Sequence, residues 1–141
     1  MNVKLSVCVS RPKGYAGYAI YKEGRVVDSK VRRILDSVNI KEEILNNLAL
    51  GFTRLKGNLI SHDDLLVIEI QNRHLYEWLS GKVEMKDYSE GLDRAFSVLE
   101  SLDCRYRFIF VDKPACKALV EAGQKSEIKG VSAMEAFADL E

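Results

Sequence analysis

Histidine, proline and tryptophan are scarce in this 141-residue sequence, at two, two and one copies. The three cysteines, Cys8, Cys104 and Cys116, show no paired spacing. A structural zinc needs clustered thiolates or imidazoles, so this set points away from a zinc cage. Three scattered cysteines also make a poor disulfide framework and read as reduced thiols. Long apolar runs are missing: no stretch approaches the roughly 20 residues that a membrane span needs. The opening MNVKLSVCVSRPKG breaks its apolar residues at every second position, unlike a secretory leader. A cytoplasmic protein with no membrane segment is the expectation. Net charge is absent as well, with twenty-one basic residues against twenty-one acidic ones. That balance disfavours strong nonspecific binding to nucleic acid, which depends on neutralising phosphates, but leaves room for a local basic surface.

What is present is pattern. Val3, Leu5, Val7 and Val9 alternate with Lys4, Ser6, Cys8 and Ser10, the period of a strand with one buried face. Arg11-Pro12-Lys13-Gly14 is turn chemistry, Tyr15 to Lys22 favours a second strand, and Glu23-Gly24-Arg25 predicts a tight hairpin into a third over Arg25 to Ile34. The period then becomes helical. Ile40, Ile44, Leu45, Leu48, Ala49, Phe52 and Leu55 fall on one face, with Ser37 or Asn39 as N-cap and Gly57 as the stop. Leu65 to Ile70 is an apolar run suited to a strand covered on both faces. Helices are predicted around Leu75 to Leu79 and over Ser89 to Leu102. A fifth apolar strand follows over Tyr106 to Val111, then a short helix from Pro114 to Gly123, and a last amphipathic helix over Ile128 to Leu140. The order predicts one α/β domain over residues 1–141: a five-stranded mixed sheet, an antiparallel meander of three strands followed by parallel ones, flanked by helices.

Glu69 interrupts the apolar run of the fourth strand. A buried carboxylate costs several kcal/mol to desolvate unless it is paired, hydrogen-bonded or metal-bound. It either pairs with an arginine or lysine or belongs to a site.

Here the residues resemble a family. The segment Val7 to Ile20 is similar to the opening of RuvC-type Holliday-junction resolvases of the ribonuclease H-like superfamily, with Ser10 where the family's first catalytic aspartate stands. Asp64 to Glu69 resembles the fourth strand, whose closing acid is Glu69 here. Lys117, Gly123 and Lys129 resemble the spaced lysines and glycine after the fifth strand. Ser132 to Ala138 resembles the final helix, with Ser132 and Glu135 at its two acid positions. The short interval between Lys129 and Ser132 looks more like the compact YqgF-type relatives. The resemblance implies a homodimer, branched DNA or structured RNA as partner, and Mg2+-dependent phosphodiester hydrolysis, with Glu69 and Glu135 as the remaining metal-binding acids. Two magnesium ions about 3.5–4 Å apart need hard oxygen donors. A serine hydroxyl at position 10 supplies no such charge, so a catalytically impaired or inactive nuclease relative is expected. An active endonuclease and a protein-interaction module are the alternatives.

Other acids have two readings each. Asp112 caps the next helix or joins a rearranged site. Glu42 and Glu43 suit the positive end of the first helix, where they are expected to be solvated, and Glu43 also falls near the acid that ribonuclease H places there. Glu135 lies on an amphipathic helix that has a solvent face. Arg11, Lys13, Lys113, Lys117, Lys125 and Lys129 form a candidate basic rim, with Tyr15 as a base-stacking ring. Trp78, with Leu75 and Tyr76, reads as core or dimer surface. His62 and His74 show no partner in the sequence, and nothing there supports a Ser-His-Asp arrangement at Ser10.

Overall fold

The computed structural model describes residues 1–35, 37–81 and 90–128, with residues 124–128 by backbone alone. The alternating opening forms β1 (Asn2–Ser10), followed by β2 (Tyr15–Lys22) and β3 (Arg25–Arg33). The β2–β3 turn places Glu23 at φ 53° and Gly24 at φ 76°, the paired left-handed geometry of a two-residue hairpin. Helix α1 (Ile40–Lys56) starts at the Asn39 side chain, which accepts from the Glu42 N–H, and stops at Gly57. Strand β4 (Leu65–Ile70), helices α2 (Arg73–Leu79) and α3 (Glu90–Ser101), strand β5 (Arg105–Phe110) and helix α4 (Lys117–Ile128) follow.

The strands form one sheet in the order β3-β2-β1-β4-β5. The β1–β2 and β2–β3 pairs are antiparallel, and the β1–β4 and β4–β5 pairs are parallel. This is the mixed sheet that the element order predicts. Alternation along β1 splits the core between two faces. Val3, Leu5, Val7 and Val9 join Ile44, Leu48 and Phe52 of α1 and Leu92, Ala95 and Leu99 of α3 in the main core. On the opposite face Cys8 packs with Tyr15, Ala19, Cys116 and Val120 beneath α4. Helices therefore cover both faces. No helix among the described residues is long and apolar enough to cross a membrane.

Two expectations need correction. Strand β5, expected to be apolar, is a half-exposed sheet edge from which Arg105 and Arg107 project into solvent. Helix α4 does not stop at Gly123 but runs through it, with Gly123 buried. Packing outweighs the roughly 1 kcal/mol that a mid-helix glycine costs. The predicted last helix over Ile128 to Leu140 lies outside the described residues beyond its first position, as does Ser89 at the predicted start of α3.

Candidate nucleic-acid interface and two buried carboxylates

Parallel pairing sets which strand residues meet. Ser6 of β1 lies opposite Glu69 of β4. Ser10 is four residues further along, about 13 Å at the rise of a strand. The expectation that Ser10 and Glu69 share one site is thereby corrected: β1 outruns β4, and the residue beside its end is Gln71. The Gln71 side chain accepts from the Val9 N–H at 2.8 Å and donates to the Val9 carbonyl at 3.4 Å, extending the ladder one step past the strand.

Glu69 is 5% exposed and fully engaged. One carboxylate oxygen accepts from the Ala115 N–H at 2.9 Å, and the other lies 3.6 Å from Lys4 Nζ. Beside it the Cys116 N–H donates to Ser6 Oγ at 3.1 Å. Pro114 has no N–H, so Ala115 and Cys116 carry the first backbone donors on the approach to α4, and the sheet satisfies both. Such donors cost about 1–3 kcal/mol each if buried without a partner. Glu69 thus takes the capping part expected of Asp112, which is exposed five residues before the helix begins.

Glu43 sits on the other face, 8% exposed in the first turn of α1, and forms an ion pair with Arg32 of β3. The expected solvated position is corrected: the α1 face that carries Ile44 and Leu48 turns Glu43 inward too. Asn47, one turn on, donates to the Glu43 carbonyl at 2.8 Å. Glu69 and Glu43 therefore each have a cation of their own, and the sheet separates the two. No group of three His, Cys, Asp or Glu side chains suitable for a metal occurs among the described residues. Magnesium requires several oxygen donors converging on one point. These residues do not fit a two-metal centre. Glu135, Ser132 and Lys129 lie outside the described residues, as does the side chain of Lys125.

Cys8 lies between Ser6 and Ser10 on the α4 face. Burial pushes its thiol up to about 11, with Glu121 adding to the rise and Lys117 opposing it. Burial likewise raises Cys116 to about 12 and Tyr21 to about 12. These groups bind their protons more tightly in the folded chain than the usual values of 9.0 for the thiols and 10.0 for Tyr21 allow. Their contribution to stability is complete below about pH 9 and is lost as pH rises toward about 12. Urea midpoints should hold to about pH 9 and then fall. At pH 8 a thiol reagent should modify only Cys104 in the native protein and all three cysteines in denaturant, as read by mass spectrometry. Fast native labelling of Cys8 or Cys116 contradicts this burial.

A second cluster lies where α1 and α2 begin. Lys41 Nζ is 2.6 Å from His74 Nδ1 and 5.0 Å from the centre of the Trp78 ring. The His74 and Trp78 rings are 4.6 Å apart. Arg73 stacks on Phe110 at 4.3 Å, and Arg11 donates to the Val38 carbonyl at 2.6 Å, pinning the loop before α1. Arg11, Lys13, Lys113 and Lys117 are exposed. Tyr15 is not available for stacking. It pairs with Ser10 in the ladder, and its ring is 3% exposed beneath α4. His62 and His74 both have partners, Asp63 at 3.1 Å and Lys41. The signal that identifies the second cluster in the sequence is the His74–Trp78 spacing of four, which shares one helix face. Lys41 is too distant in sequence to be linked to them.

At the other end of the sheet, a cleft of about 530 Å3 gathers His62, Asp103, Cys104 and Tyr106. Burial and the neighbouring Asp64 and Asp103 raise the Cys104 thiol, which favours the protonated form over a nucleophilic thiolate.

No protein-family model matches the sequence, and no curated protein matches it. Solved structures do. The chain overlays on LC11-RNase H1 in complex with an RNA/DNA hybrid at TM-score 0.62 and 12% identity, covering 84% of this chain and 91% of that one. The RNase H1 of the halophilic archaeon Halobacterium salinarum gives TM-score 0.58 and 13% identity, over 92% and 98%. The N-terminal RNase H domain of rv2228c from Mycobacterium tuberculosis gives TM-score 0.58 and 15% identity, over 80% and 88%. With the strand order and the helices on both faces, these overlays establish that the chain has the ribonuclease H-like fold.

Proposed function

We propose that this chain is a nucleic-acid-binding domain that keeps the ribonuclease H-like fold and has lost two-metal hydrolysis. The observation that carries the reading is the engagement of Glu69 and Glu43, two of the buried carboxylates. Glu69 holds the Ala115 N–H and Lys4, and Glu43 holds Arg32, on opposite sides of the sheet. A nuclease of this chemistry needs such oxygens together and open to magnesium. Nucleic acid is the partner class favoured by the exposed basic residues at the strand ends and by the overlay on a protein solved with an RNA/DNA hybrid. The segments resembling RuvC-type resolvases add a four-way DNA junction to the ligands worth testing, and a homodimer as the assembly that a two-fold junction would require.

The test offers labelled RNA/DNA hybrid, hairpin RNA and four-way junction to the protein, with magnesium and then manganese. Binding that weakens steeply with salt is expected, with no cleavage and no rise in melting temperature at millimolar metal. Metal-dependent cleavage that Glu69→Gln abolishes overturns the loss of catalysis. Absence of binding at low salt overturns the nucleic-acid reading and leaves a protein partner as the alternative.

A further inference from the structure

We infer that Lys41 and His74 form a phosphodiester contact point, with Trp78 holding them in place. This rests on the nucleic-acid reading above and locates where a strand touches the domain. Lys41 is a permanent donor, so the 2.6 Å contact to Nδ1 makes that nitrogen the acceptor. The imidazole proton then sits on Nε2, at the far side of the ring, and His74 is exposed. The ammonium keeps two further N–H groups beyond the one given to Nδ1. An imidazole N–H and an ammonium thus stand side by side with donors to spare, and no carboxylate among the described residues pairs with Lys41.

The surroundings favour an anion over water alone. Lys41 is the second residue of α1, whose first turn holds its position beside α2. The half-buried Trp78 ring lies 5.0 Å from the ammonium and 4.6 Å from the imidazole, which restrains both side chains before any ligand arrives. Preorganised donors bind an anion at a lower entropic cost than free surface lysines do. Arg73, exposed beside His74, continues the positive surface toward β5. The contact carries charge and no base-edge donors aimed for readout, so it fixes the position of a strand and does not select a sequence.

Trp78 is the only tryptophan, so its emission reports on this cluster alone. RNA/DNA hybrid is titrated into the native protein with excitation at 295 nm, while anisotropy of a labelled copy follows binding independently. Trp78 emission should change in step with anisotropy. Lys41→Met should lower low-salt affinity roughly fivefold and reduce the slope of log affinity against log salt by about 1, with an unchanged melting temperature. Lys56→Met, at the far end of α1, should leave the Trp78 response intact. Binding by anisotropy with static Trp78 emission, together with an unchanged slope in Lys41→Met, overturns the contact while leaving the nucleic-acid reading standing. No binding at all at low salt overturns that reading and this contact with it.

Discussion

Glu69→Ala should lower the unfolding free energy by about 3 kcal/mol, and Glu69→Gln by about 1 kcal/mol. Alanine leaves the part-buried Ala115 N–H without an acceptor, removes the partner of Lys4, and empties a buried position on β4 beside the segment that leads into α4. Glutamine keeps an acceptor for Ala115 and gives up the charge. Lys4 is 42% exposed at its side chain and can turn to water, so the lost backbone acceptor dominates. For a chain of this length the alanine variant should melt roughly 10 °C lower. The sign separates two interpretations of the residue. Acids held together for catalysis repel one another, and replacing one commonly raises stability. An acid that seats a helix on a sheet lowers stability when removed. A rise in melting temperature for Glu69→Ala, measured against Ser6→Ala as the neighbouring contact, overturns the structural role argued above.

Gly17→Ala should cost about 2–3 kcal/mol, an overpacking penalty that has no flexible side chain to absorb it. Gly17 lies on β2 between Cys8 of β1 and Val31 of β3. A Cβ there would run into the Lys30 carbonyl oxygen and lie 3.0 Å from the Val31 Cα. Those atoms are backbone on the partner strand, so the strands must separate or slip. Gly51 on α1 is the useful comparison, because an added Cβ meets the Leu5 side chain at 2.6 Å, which is a rotatable obstacle. Gly51→Ala with Leu5→Val should recover part of the loss of Gly51→Ala alone, whereas no single side-chain truncation should rescue Gly17→Ala. Chemical denaturation of the three variants checks this; a neutral Gly17→Ala contradicts the close approach of β2 and β3.

The sequence made the fold legible wherever a local signal decided the outcome. The Asn39 cap and the Gly57 stop bound α1, and Glu23-Gly24 closes the hairpin, because each acts within a few residues. The alternation of β1 correctly separates its two faces, and the apolar run marks β4. Failures came where a distant partner decided. Gly123 carries a local stop signal, yet α4 continues through it, buried among other elements. Arg105 and Arg107 argue against a covered β5, but only the sheet order shows that β5 is an edge. At the site, Glu69 stands out in the sequence as a buried acid, and one of its two open readings, pairing with a basic residue, matches Lys4. Its second partner is an N–H forty-six residues away, which no residue spacing reveals. The offset between β1 and β4 moved Ser10 away from Glu69 and brought Gln71 to its side. The Lys41–His74 contact spans thirty-three residues and was invisible for the same reason.

The central place of β1 also governs the order in which the chain can assemble. During synthesis from the N-terminus, β1, β2 and β3 become complete once Arg33 has emerged, and they join through short turns. The inner edge of β1 must then wait for Leu65 to Ile70, its only strand partner on that side. Nascent chains therefore present an unpaired apolar ribbon while α1 is being made, a template for wrong pairing with other chains. Helix α1 is the next element produced, and its docking on Leu5 and Val7 shields that ribbon until the parallel strand arrives.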